Sequence, residues 1–261
     1  VSVHDRSEQP IIFRGLAPRQ VQGIQASYYT SIAYVDEQIG RLVRTLDDNG
    51  LGDDTLVVFL SDNGYMLGRH GRFEKHCFYE SAVRVPLMFR RPGRIPKGRR
   101  VDDLVELVDL LPTIFALLGQ PIPPGLHGRE MSGLVLGRPG AVGRRVVFSE
   151  YNESEEAMAR TDRYKLIVGS GRRARKDGYA PTHPPTGPYE RLFDVQADPD
   201  EDHADPALAA VKVDLIRSLA DRFRATWEGP EPIPPGLSER GTIEWCLTPR
   251  DKPNPWAGKH M

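Results

Sequence analysis

Ser61-Asp62-Asn63-Gly64 sets a carboxylate and a carboxamide side by side, directly after the uninterrupted apolar and β-branched run Thr55-Leu-Val-Val-Phe-Leu60. Such a run predicts one strand buried on both faces. Asp62 and Asn63 at its carboxyl end would offer oxygen donors where open α/β sheets bind their ligands, and oxygen is what a hard cation prefers. A few residues on, Gly68-Arg69-His70-Gly71 and Lys75-His76 add cationic and titratable groups. Oxygen donors followed by positive charge fit a metal ion and an anion held together. The same spacing also fits an ordinary strand–turn closed by an Asx cap.

The elements that must position these residues can be read from periodicity. Ile24, Tyr28, Ile32, Val35, Ile39, Leu42 and Leu46 fall at alternating spacings of four and three, which predicts an amphipathic helix over about 18–48. Asn49-Gly50 supplies its left-handed stop. At that period Tyr28 and Tyr29 read as core, and Asp36-Glu37 as a solvated face. Gly52-Asp53-Asp54 then turns the chain into the strand, giving half of an α/β crossover. Tyr65 to Ser81 has little periodicity and reads as a site loop. Val85-Pro-Leu-Met-Phe89 is a short strand, with Pro86 near its start. Leu104, Leu107, Val108, Leu111, Ile114, Phe115, Leu117 and Leu118 predict a helix ending at Gly119, in which Pro112 marks a kink or a new first turn.

Pro121-Ile-Pro-Pro-Gly125 is boundary-like and from Arg144 the character changes, which suggests a first domain over 1–140 and a second over 141–261. Val146–Phe148, Tyr164–Val168 and Arg191–Val195 have the grammar of a small antiparallel sheet. Leu208, Val211, Leu215, Leu219, Phe223 and Trp227 predict a helix packed on it. The insert Gly169–Pro188 reads as mobile, and the tail from Glu228 as extended or disordered. Asp198–Asp205 is acidic but has no glycine where a calcium-binding EF-hand loop needs its sharp turn. Residues 1–19 read as a surface loop with an idle His4.

Bulk composition excludes several functions. An apolar fraction of 39% and a charged fraction of 27% over 261 residues describe a globular chain with ample core. A net charge of −1 creates no field favouring nucleic acid or an anionic membrane. The basic loop Arg90–Arg100 has no aromatic side chains interleaved to stack on bases. No apolar run approaches membrane-spanning length. Cys77 and Cys246 make no disulfide framework or zinc spacing; they fit a reducing, cytoplasmic compartment but are too few to establish one, so the compartment stays open. The opening Val1-Ser-Val-His-Asp5 reads like the interior of a protein, so a fragment is expected.

Seven stretches in order carry a specific resemblance: Tyr28–Asp36, Val58–Gly64, Leu67–Gly71, Lys75, Tyr79-Glu80, Arg84–Leu87 and Leu107–Thr113. Together they resemble the carboxyl-terminal half of a type I sulfatase, in the alkaline phosphatase superfamily. Tyr164–Ile167, Leu192–Asp194 and Asp198-Pro199 resemble that family's small terminal domain. The resemblance implies an incomplete alkaline-phosphatase-like three-layer αβα sandwich, followed by a small antiparallel sheet with a packed helix. It implies hydrolysis of sulfuric esters, small-molecule or carbohydrate, with Ca2+ or another divalent metal held in part by Asp62 and Asn63. Lys75 matches the lysine that reaches the sulfate, and His70 matches a pocket-lining position. Arg69 stands where many relatives carry an acidic residue. Arg84, Tyr79 and Glu80 are expected to brace the loop. The family nucleophile, a formylglycine made within Cys/Ser-x-Pro-x-Arg, has no match in residues 1–61, and the upstream acidic ligands are also missing. Cys246-Leu-Thr-Pro-Arg250 is a near miss on the wrong side of the metal ligands, and Cys77 is expected to be a packed, inert thiol. A phosphonate or phosphate ester hydrolase of the same superfamily and a non-catalytic binding module are the alternatives.

Overall fold

The computed structural model describes residues 15–152, 154–172, 185–199, 201 and 208–248. His4, most of the 169–188 insert, most of the acidic 198–205 stretch and the far tail lie outside the described residues. The chain forms two compact units, one of Gly15–Leu67 with Val83–Arg144, the other joining Gly68–Ala82 to the residues from Arg145 onward.

The first unit begins with helix α1, Pro18–Asp48. Pro18 fits a first helical position because its missing N–H would go unpaired there anyway. The Ala17 N–H donates to the Gln20 side chain at 2.8 Å. Gly50, at φ 68°, closes the far end as predicted. The apolar stripe is present, yet no residue of α1 is buried: Ile32 and Val35 are 51% exposed and Leu42 60%. Tyr29, expected in a core, is exposed as well.

Strand β1 (Val57–Leu60) pairs antiparallel with β2 (Leu87–Arg90), Val57 opposite Arg90 and Leu60 opposite Leu87. This differs from the doubly buried strand expected of the apolar run, since every β1 residue keeps some exposure. A run of β-branched residues specifies a strand, but its burial depends on what is laid against it. Among the described residues the sheet stops at two strands, and a short helix α2 (Glu80–Val83) precedes β2.

A turn of 3₁₀ helix at Leu107–Asp109 leads into α3 (Leu110–Leu117), so Pro112 lies in a new first turn rather than a kink. Polarity here is inverted. Asp109 and Thr113 are fully buried, whereas Leu107, Val108 and Leu111 are exposed. Asp109 receives a two-pronged contact from Arg144, with Nε at 2.7 Å, and accepts the N–H groups of Glu106 (3.0 Å) and Arg129 (2.7 Å). Thr113 donates to the Asp109 carbonyl at 2.6 Å and accepts from the Met131 N–H at 3.0 Å, which ties in α4 (Ser132–Leu136). Gly128 permits the approach, because a Cβ there would stand 1.9 Å from the Val108 carbonyl oxygen.

In the second unit, β3 (Val147–Tyr151), β4 (Glu156–Arg160), β5 (Tyr164–Gly169) and β6 (Tyr189–Asp194) form an antiparallel sheet in sequence order. Sequence reading missed β4, whose Glu-Ala-Met-Ala-Arg has low strand propensity. Ala157, Ala159, Leu166, Val168 and Leu192 turn one sheet face toward α5 (Ala209–Thr226) and α6 (Glu239–Leu247). Helix α6 corrects the expected extended tail. Ser238 caps it by accepting the Gly241 N–H at 3.1 Å. Among the described residues, no helix is long and apolar enough to cross a membrane.

Three substitutions test this packing. Leu219→Ala, in the sealed core of the second unit, should cost about 2–5 kcal/mol, whereas Ile32→Ser on the open stripe should stay within about 0.5 kcal/mol; urea unfolding distinguishes them. Burial opposes ionisation of Asp109, but Arg144 and the two N–H donors outweigh it and hold the carboxyl below its ordinary range. The resulting stability is fully present above the unfolded pKa of about 3.9 and is lost as pH falls through the lower folded value. Asp109→Asn should therefore cost about 3–5 kcal/mol at pH 7, with the gap to wild type narrowing below about pH 4.

Candidate active site

Asp62 and Asn63 follow the end of β1 in the first unit, Asp62 exposed and Asn63 half-buried. The Ser61 hydroxyl closes the turn on the Asn63 carbonyl at 2.7 Å. Helix α1 holds the continuation: Tyr28 stacks on Tyr65 with centroids 5.5 Å apart, and the Gln25 amide donates to the Leu67 carbonyl at 2.8 Å. Met66 between them is buried. Two oxygen-bearing side chains have the right chemistry for a hard cation but fall short of its usual six to eight ligands. Among the described residues no group of three or more His, Cys, Asp or Glu could hold a metal ion. The pair fits part of a coordination shell.

His70 and Lys75 belong to the second unit. The chain enters their segment through a tight turn in which Leu67, Gly68, His70 and Gly71 all have positive φ, 50°, 96°, 52° and 67°. Such backbone persists in a non-glycine residue only where its surroundings fix it. The His70 ring is buried and stacked on Tyr79, centroids 3.8 Å apart, and Tyr79 meets Phe193 of β6 edge-on. From Arg72 to Tyr79 every residue is buried or half-buried except Lys75. Arg72 pairs with Glu74 on one side of it, and on the other the Tyr151 hydroxyl and His76 Nδ1 share a hydrogen bond at 3.0 Å. An irregular loop this buried, with one exposed lysine, presents a positive charge to solvent.

Tyr79 and Glu80 brace the loop as expected, whereas Arg84 is exposed. Sequence reading missed their partners. Lys165 on β5 is fully buried and lies 2.7 Å from Glu80 Oε1 and 2.6 Å from Glu201 Oε1. The available signal was a lysine inside Tyr-Lys-Leu-Ile-Val, since a charge within a buried strand requires a partner. Burial pushes the Cys77 thiol up to about 12, only partly opposed by Arg72. Cys246 sits in the apolar core on α6. The raised pKa of Cys77 leaves it no activated nucleophile.

Comparison with known proteins then decides the family. The sulfatase family model matches residues 5–120, and the model of the N-sulphoglucosamine sulphohydrolase carboxyl-terminal region matches residues 68–223. This chain belongs to the sulfatase family. Iduronate 2-sulfatase of Mus musculus is 38% identical over 39% of this sulfatase chain and 23% of its own length. Arylsulfatase K of Gallus gallus is 34% identical over 70% of this chain and 34% of its own. BT4656, solved in complex with its substrate D-glucosamine-2-N,6-O-disulfate, superposes with a TM-score of 0.70 at 25% identity, over 81% of this chain and 42% of that one. The phosphonate monoester hydrolase of Silicibacter pomeroyi gives 0.69 at 29% identity, over 83% and 44%. The sulfatase chain thus spans less than half the length of these relatives, and its fold is a portion of the alkaline-phosphatase-like architecture with the small antiparallel sheet and packed helices.

A thiol with a pKa near 12 is almost wholly protonated at pH 8. A disulfide reagent such as Ellman's should therefore modify Cys77 in the folded sulfatase chain at least about a hundredfold more slowly than free cysteine. Modification at the free-cysteine rate would contradict the packed environment.

Proposed function

We propose that this chain is the portion of a sulfuric ester hydrolase that supplies part of the metal shell and the anion-holding lysine. The observation that carries it is Lys75, an outward ammonium on an otherwise covered loop, in a chain of this family. Its charge would bind a sulfuryl oxygen and stabilise the negative charge that builds as the ester bond breaks. Asp62 and Asn63 would take part in holding a divalent cation, calcium by preference because both offer hard oxygen donors. When bound, the cation neutralises and orients sulfate oxygens. His70, stacked against Tyr79, would line the anion's surroundings. The nucleophile is not among the motifs of this sequence, so the chain alone should not turn over. A carbohydrate sulfate ester is the substrate class that the disulfated glucosamine of BT4656 supports.

The likeness to phosphonate monoester hydrolases favours one second reading, because the same cation and lysine suit a phosphoryl centre. Assaying sulfate and phosphonate esters side by side on an enzyme that joins this chain to its nucleophile-bearing portion separates the two. In that enzyme Lys75→Ala should lower kcat/KM for the preferred ester by about 10²–10³-fold. For the chain alone, calorimetry should show calcium binding weaker than about 1 µM, since two donors are too few for a tight site. Tighter binding, or aryl sulfate turnover above a Lys75→Ala control, would overturn the proposal.

A further inference from the structure

The sheet of the second unit has a second face, and the register decides what lies on it. Cross-strand partners share a face, so Tyr151, Glu156, Met158, Arg160, Lys165, Ile167, Tyr189 and Phe193 all point away from α5 and α6. The segment Gly68–Ala82 meets this face: Tyr151 reaches His76, Phe193 meets Tyr79, and Arg160 Nε reaches Glu80 Oε1 at 2.9 Å. At its centre the Lys165 ammonium donates to the Phe78 carbonyl at 2.8 Å while ion-pairing with Glu80 and Glu201. Glu201 completes the ring by accepting the Glu80 N–H at 2.6 Å.

We propose that Lys165 is a positioning residue, whose ammonium clasps Phe78–Glu80 and thereby sets the backbone that turns Lys75 outward and seats the His70 ring. This rests on the anion-binding role assigned above to Lys75. Two backbone groups and one carboxylate within three residues are engaged, which fixes the segment's register on the sheet as well as its attachment. An apolar residue would serve the core equally well: Met158 and Ile167 on the same face are buried without charge, and a buried ion pair is commonly no more stabilising than a hydrophobic replacement. What the lysine adds is direction. It favours the placement of Phe78–Glu80 that adds the Phe78 carbonyl and the Glu80 carboxylate to its pairing with Glu201.

Hydrogen exchange read by mass spectrometry on the whole chain tests this, comparing wild type with Lys165→Met. The expected result is exchange at least about tenfold faster for amides of 72–80, with β4, β5 and α5 within about twofold of wild type. In parallel, inorganic sulfate binding that depends on Lys75, established with Lys75→Ala, should weaken by about tenfold. Unchanged protection in 72–80, or a uniform loss across the sheet and α5, would overturn the proposal. If Lys165→Met does not fold, as judged by circular dichroism, Glu201→Gln is read in its place. It leaves Lys165 with Phe78 and Glu80, and should still loosen 72–80 selectively by several-fold; no selective loosening overturns the clasp. Selective loosening in a chain whose wild type binds no sulfate would sustain the clasp and count against the sulfatase reading of Lys75.

Discussion

An ammonium sealed from water is the constraint on which the second unit depends. Removing such a charge from solvent costs several kcal/mol before any partner is found. Lys165 therefore tolerates only an arrangement that surrounds it with oxygen. Glu80, Glu201 and the Phe78 carbonyl provide that, and the Arg160 guanidinium pairs with Glu80 as well. Burial works against the Glu80 carboxylate, yet Lys165 and Arg160 outweigh it and hold its pKa below the ordinary range. For Glu201 burial prevails, and its pKa lies above that range. The two acids are thus unequal: Glu80 is firmly ionised and Glu201 is the more reluctant partner. Segment, sheet and Glu201 meet at one amine.

The first unit obeys a different economy of polarity. Few of its large apolar residues are buried, many are exposed, and Asp109, its best-satisfied polar residue, is hidden. Asp109 gathers the 3₁₀ turn, the loop after Gly128 and Arg144 into a rigid hub, while Ile32, Leu42, Met88 and Leu111 face outward. Among the described residues, every exposed large apolar side chain except Val213 belongs to this unit. Extended uncovered apolar surface is unusual in a self-sufficient monomer. It agrees with a chain that spans less than half of its relatives' length.

Much of this was legible in the sequence because it is local. The three-and-four spacing of α1, its Asn49-Gly50 stop and the Leu215-Leu219-Phe223 stripe of α5 each rest on neighbours a few residues away. What escaped is what depends on distant partners. Nothing local reveals that the α1 stripe stays open, that the Thr55–Leu60 run finds a single partner strand, or that Asp109 waits for Arg144. Strand β4 was missed because alanines become strand residues only under the pressure of close packing against a helix. Helix α6 was hidden by the Pro-rich approach, although Ser238 was a readable cap. Lys165 and Glu201 were missed as a pair because they are separated in sequence and unremarkable singly.

These roles bear on what the sulfatase resemblance means chemically. Of the residues that carry it, Tyr28 serves as a stacking anchor for Tyr65, Tyr79 and Glu80 dock the loop, and Asp109 and Thr113 knit a hub. Asp62, Asn63 and Lys75 have no such part in this packing, and Asp62 and Lys75 are exposed. Most of the resemblance therefore specifies a scaffold, and a scaffold survives the loss of chemistry. A chain could keep every one of those contacts and bind nothing. The distinction between enzyme and binding module rests on three side chains and on the nucleophile they would serve. Lys75 is the one exposed residue from Arg72 to Tyr79, and that exposure is what supports the proposed site.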